Sequence, residues 1–128
     1  MAQSINAPLV LAFVGDAVYG LYIRKRLSEC GAATVNVLHH KASRMVCAEA
    51  QFHAMQHISP LLTEEEMQVF RHGRNAKSGT VPKNADVIHY RHATGLEALV
   101  GHLYLEEQTE RLSFLLGKVF DFLYDEIC

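Results

Sequence analysis

The chain has 128 residues, 49% of them hydrophobic, and a formal net charge of −2. That length suits one domain with a real core, and the near-neutral balance excludes binding nucleic acid by bulk basicity. The charge is unevenly placed: ten of the twelve Lys and Arg lie between Arg24 and Arg91, and seven of the fourteen acids follow Ala93.

In chain order, the N-terminus lacks the basic flank of a secretory signal. The apolar run from Leu9 to Ile23 has 15 residues, short of the roughly 20 that span a bilayer. It predicts a core helix from Pro8 to about Glu29, ended by Gly31. Thr34 is placed to cap a second helix that continues through Val46, Ala50 and Met55 to Ser59-Pro60. Thr63 with Glu66 three residues on forms a capping box for a third helix, reaching about Arg74. Residues 76 to 84, "AKSGTVPKN", form a loop broken by Gly79 and Pro82. Helix resumes near Asp86, which caps it, and runs to about Gln108 with an expected kink at Gly95. Thr109 is placed to cap a last helix through Leu112, Leu116, Val119 and Leu123. No strand-like alternation occurs, so the expected architecture is one all-α domain over residues 1–128. Cys30, Cys47 and Cys128 form no CxxC pair or ligand cluster. They predict a reducing, cytoplasmic setting.

Two stretches stand out. In "LAFVGDAVYG", Asp16 is the only formal charge between Met1 and Ile23; in "TGLEALVGHLYL", Glu97 is the only one. Each acid sits among small residues, Ala12, Gly15 and Ala17 in one case and Gly95, Ala98 and Gly101 in the other. Small residues allow close helix packing, so the two helices can bring the acids together. Bare carboxylates facing each other in a dry core repel and lose hydration. A divalent cation relieves both, and Mg²⁺ needs few protein carboxylates when water and phosphate complete its shell. Each acid alone is equally well read as a structural carboxylate bonded to backbone or to an arginine.

The third feature is "RHGRNAKSGTVPKNADVIHYRH", with Arg71, Arg74, Lys77, Lys83 and Arg91 against one acid, Asp86. Cations interleaved with Asn75 and Ser78 on a long inter-helical loop have a phosphate-contacting composition. The plainer reading is a solvated charged face. Other motifs fail. "GRNAKSG" lacks the glycine a P-loop needs before its lysine, since Ala76 stands there, and no strand precedes it. Ser78 lies in no nucleophile elbow. The pairs His53/His57 and His89/His92 lack zinc-site spacing, so they are read as surface or half-buried residues.

"LAFVGDAVYG" resembles the signature segment of ribonuclease III nuclease domains, and "TGLEALVGHLYL" resembles their second acidic segment. The block from Arg71 to Leu105 resembles the Mini-III class, which lacks a double-stranded-RNA-binding domain. The resemblance runs from about Leu9 to Leu123, and the length leaves nothing for such a second domain.

The resemblance implies the ribonuclease III endonuclease fold, as a homodimer. It implies Asp16 and Glu97 as catalytic residues and ligands of Mg²⁺, with Mn²⁺ as a substitute. It places a dimer contact at Phe13 and an RNA-engaging loop over Arg74 to Lys83. Two further acids of the larger ribonuclease III proteins are missing, with Ala12 and Thr94 in their places. The implied reaction is metal-dependent hydrolysis of double-stranded RNA, leaving 5′-phosphate and 3′-hydroxyl ends. The implied substrate is the terminal stem of precursor 23S ribosomal RNA, with a large-subunit ribosomal protein as a further partner and no membrane. Two other classes stay open at this point: a non-catalytic ribonuclease III-like RNA-binding protein, and a helical phosphohydrolase of small phosphate compounds. Two acids in apolar helices argue against the first, and the basic loop without a compact Gly motif against the second.

Overall fold

The structure, a computed structural model, describes residues 7–31, 33–77, 81–83 and 85–127. The described residues are helical, in the order α1 (Pro8–Glu29), α2 (Val35–Val46), α3 (Ala48–Ile58), a 3₁₀ turn (Ser59–Leu61), α4 (Glu64–Asn75), α5 (Val87–Leu105) and α6 (Thr109–Ile127). No strand occurs among them. The expected all-α class is therefore observed. None of these helices is long and apolar enough to cross a membrane.

Local chemistry sets most helix starts. Pro8 occupies the first turn of α1, where its missing N–H costs nothing. Thr34 Oγ1 accepts from the Val37 N–H at 3.3 Å, and Asp86 Oδ1 from the His89 N–H at 3.0 Å. The capping box at α4 is complete: Thr63 Oγ1 accepts from Glu66 N–H (3.1 Å), and Glu66 Oε1 from Thr63 N–H (2.9 Å). The buried Glu66 carboxylate also accepts from Arg111 Nε and Nη2, each at 2.8 Å, while Nη2 reaches the Leu61 carbonyl at 2.7 Å. This fork ties α6 to the start of α4. The Arg111 hydrogen bonds hold the Glu66 carboxyl below the usual carboxylate range.

Three expectations are corrected. The second helix is two helices, because Cys47 is extended (φ −70°, ψ 160°) and serves as end residue for both α2 and α3. No Gly or Pro marks that break. A tertiary contact accompanies it: Tyr19 of α1, fully buried, donates its hydroxyl to the Met45 carbonyl at 2.9 Å. Next, α5 runs through Gly95 without interruption and stops at Leu105. Gly95 is instead a contact point, where a Cβ would strike the Phe70 ring. Finally, α6 includes Thr109 as its first residue rather than as a cap. The turn before it is closed by Glu107 in the left-handed region (φ 57°). Glu107 and Gln108 N–H groups bond back to the Tyr104 and Leu103 carbonyls at 3.1 and 2.9 Å, a Schellman pattern usually built on glycine.

α1 and α5 form the central pair, with α4 against α5 and the α2, α3 and α6 helices closing the other side. The core is centred on Tyr19, Ile23, Met45, Leu99, Leu116 and Phe120.

Candidate active site

The crossing of α1 and α5 is made of glycine. A Cβ on Gly15 would run into the Glu97 carbonyl, and one on Gly101 into the Leu11 carbonyl. The two backbones therefore touch, as the small residues predicted. Asp16 follows Gly15 directly, and Glu97 lies one turn before Gly101. Their carboxyl groups come close enough for Asp16 to raise the Glu97 carboxyl. Asp16 is exposed and Glu97 half-buried, so the pair sits where the core opens to the surface.

The electrostatics follow from this placement. The Glu97 carboxyl is pushed up to about 8, first by burial and then by the hydrogen bond with Asp16 and its charge. Gln51 opposes the rise by donating Nε2 to Glu97 Oε2 at 3.3 Å. The Glu97 carboxyl therefore keeps its proton near neutral pH. An oxygen donor set of this kind fits a hard divalent cation, which takes the place of the proton. Among the described residues no three His, Cys, Asp or Glu converge to hold a metal, so the candidate protein donors are two. Ala12 is buried, and the Thr94 hydroxyl donates to the Tyr90 carbonyl of its own helix at 3.0 Å. Neither position supplies a further acid.

A pH prediction follows for the cation-free protein. Glu97 holds its proton up to about pH 8 in the fold, against 4.5 for the ordinary group. The folded state thus binds the extra proton between those values. Stability should be full below the lower one and fall as pH rises toward the upper, with a slope of up to about 1.4 kcal/mol per pH unit. Urea titrations in chelator at several pH values should show this slope in the parent and a flatter one in Glu97→Gln. Identical slopes would contradict the raised Glu97 carboxyl.

The basic stretch continues from the end of α4, which packs on α5. A Cβ on Gly73, near the end of α4, would meet Gly95 and Ala98, which flank Glu97 on α5. The chain leaves α4 two residues later, at Asn75. Arg74 Nε donates to Asn75 Oδ1 at 3.0 Å, and its guanidinium covers the Phe70 ring. Lys77, Lys83 and Arg91 are exposed. Arg71 is also exposed but turns to Glu64 of its own helix at 3.7 Å. Ser78, named with this loop, lies outside the described residues, as do Gly79 and Cys128. Phe13 is 80% exposed on α1.

Two features were not legible in the sequence. Gln51, on α3, is buried against Glu97; a glutamine in an amphipathic helix reads as a surface residue. Phe52 is ringed by His53, His89 and His92, with ring centroids at 5.2, 4.6 and 4.9 Å. The two pairs of histidines were expected to be exposed or half-buried, and they are. Their shared aromatic neighbour needed the packing of α3 on α5.

Comparison with known proteins agrees with this arrangement. The model of the ribonuclease III domain matches residues 9–108. The chain is 51% identical over 116 residues to a Mini-ribonuclease 3 of Symbiobacterium thermophilum, covering 91% of this chain and 89% of that one. It is 47% identical over 117 residues to a Mini-ribonuclease 3 of Brevibacillus brevis, covering 91% and 87%. A crystal structure of a protein from Fusobacterium nucleatum superposes with a TM-score of 0.80 at 31% identity, over 90% of this chain and 92% of that one. Glycine crossing, all-helical fold and sequence similarity over most of the length converge: the chain belongs to the ribonuclease III family, with Mini-ribonuclease 3 proteins as its relatives, and is an endoribonuclease of that type.

Proposed function

We propose that the chain cleaves double-stranded RNA as a two-fold homodimer, with Asp16 and Glu97 holding Mg²⁺, or Mn²⁺ in its place. The observation that carries this reading is the close Asp16–Glu97 pair at the glycine crossing, with Asp16 exposed at the surface. A divalent cation bound there would stabilise charge growing on the phosphoryl oxygens and acidify a water for attack. The chain's own residues do the rest. Asp16 supplies a permanently accessible carboxylate. Glu97 would give up its proton on binding a cation there, so binding and activity should strengthen as pH rises toward 8. Arg74, Lys77, Lys83 and Arg91 hold the phosphate backbone against the pair, with Arg71, Asn75 and Ser78 as flanking contacts. A duplex is read there by shape and backbone rather than by bases.

The residues 1–128 act as one catalytic domain in this reading, in the cytoplasm. The substrate we infer is the terminal stem of precursor 23S ribosomal RNA, with a large-subunit ribosomal protein as a further contact. Support for that substrate is the similarity to the Mini-ribonuclease 3 proteins.

The test is cleavage of a duplex RNA with Mg²⁺ and with chelator, alongside a variant neutralised at Arg74, Lys77 and Lys83. Cleavage should require the cation. The triple variant should bind more weakly at low salt, and each lost phosphate contact should lower the log–log salt slope by about one or less. Superimposed salt series for variant and parent would remove the loop from the site.

A further inference from the structure

Gln51 does not behave as a packing residue. It is 1% exposed on α3, yet both donors of its amide are used on oxygens. Nε2 lies 3.2 Å from the Val46 carbonyl and 3.3 Å from Glu97 Oε2. Its other polar atom, Oε1, is buried without a hydrogen-bond partner. Packing alone does not ask for an amide here. A methionine of similar shape would fill the volume and remove the unpaired Oε1, but it would give up the donors on the Val46 carbonyl and on Glu97.

The break at Cys47 explains how the amide is held. α2 ends at Val46, so its last carbonyls have no helical partner. Tyr19 takes the Met45 carbonyl from α1, and Gln51 takes the Val46 carbonyl from α3. With one hydrogen on Val46, the second hydrogen of the amide points at Glu97. Glu97 is therefore engaged by Asp16 from α1 and by Gln51 from α3, and the Gln51 amide is anchored to α2, a helix that carries neither acid.

We propose that Gln51 is a positioning residue for the cation site: anchored on the Val46 carbonyl, its amide fixes the Glu97 carboxylate in the orientation that lets it act together with Asp16 on a divalent cation. This rests on the reading of Asp16 and Glu97 as the cation's ligands. It adds a third element, α3, to a site otherwise built from α1 and α5.

The experiment uses the full chain and Mn²⁺ alone, with free Mn²⁺ followed by electron paramagnetic resonance in the absence of RNA. Parent, Gln51→Met and Glu97→Gln are titrated, and each is melted in chelator. Gln51→Met should raise the Mn²⁺ dissociation constant about 10- to 100-fold. Its melting temperature in chelator should stay close to the parent's, since losing the unpaired Oε1 offsets losing the donor on the Val46 carbonyl. Its duplex cleavage should recover toward the parent's as Mg²⁺ is raised, whereas cleavage by Glu97→Gln should not. A parent-like dissociation constant for Gln51→Met, with binding lost in Glu97→Gln, overturns the role of Gln51 and leaves the cation site standing. Parent-like binding by Glu97→Gln overturns the cation site itself. If Gln51→Met does not fold, Gln51→Asn is read by the same titration. It is one methylene shorter and withdraws the amide from Glu97, so parent-like binding there also overturns the proposal.

Discussion

Asp16→Asn should lower duplex cleavage by about three orders of magnitude or more while leaving the helical content and melting temperature close to the parent's. The substitution keeps the shape of the side chain and removes its charge. A carboxylate that holds the cation is worth several kcal/mol in the transition state, and each 1.36 kcal/mol is about tenfold in rate. Asp16 is exposed, and a surface substitution of this kind usually changes stability by no more than about 0.5 kcal/mol. The same change should also lower the Glu97 carboxyl, because the hydrogen bond and charge of Asp16 contribute to its rise. Burial, the larger cause, remains. Single-turnover cleavage and thermal melts on the same preparation decide the matter. A variant that cleaves at near the parent rate would remove Asp16 from the chemistry, and one that loses stability but keeps its specific activity would make it a structural acid.

Phe13→Arg should convert a dimer to a monomer and lower duplex cleavage in step. One face of α1 buries Leu11, Ala12, Gly15, Tyr19, Ile23 and Leu27. The opposite face exposes Phe13 and Leu21 at 80% and 70%, with Leu9 and Val10 at 38% each. Exposed Ala17 lies between them. A continuous apolar stripe of this kind on a small domain suits the proposed dimer contact. A two-fold axis through it fits the reaction, because the strands of a duplex are themselves related by two-fold symmetry. Asp16 falls at the border of the stripe, so the two acid pairs of a dimer would flank one axis. An arginine at the centre of the stripe would bury an unpaired charge in the interface, which costs far more than the contact it replaces. Light scattering across a dilution series, with cleavage measured at the same concentrations, tests this. A parent that is monomeric at micromolar concentration and equally active on dilution would rule the dimer out.

The caps and breakers placed most helix ends correctly because those signals are local. Pro8, Thr34, the Thr63–Glu66 box and Asp86 each act within one turn, and each is found at the helix end it predicted. The two isolated acids were equally legible. A charge in an apolar helix is costly wherever that helix packs, and the glycines beside Asp16 and Glu97 announce a close crossing. The break at Cys47 was not legible, since nothing at residues 46 to 48 disfavours helix and the competing interactions come from Tyr19 and Gln51, 28 residues before it and four after it.

What the sequence by itself determined, then, was the helical class, the family resemblance, and the two carboxylates on helices able to approach closely. Only the tertiary structure decided that Asp16 and Glu97 approach each other, that Glu97 is the less exposed of the two, and that Gln51 reaches it. It also decided which apolar side chains of α1 stay outside: Leu11 and Phe13 are equally hydrophobic neighbours, but only Leu11 faces α5. The physical reason is range. Helix caps and apolar periodicity are set by residues a turn apart, whereas burial, a raised carboxyl and orphaned amide groups depend on which surfaces the folded chain brings into contact.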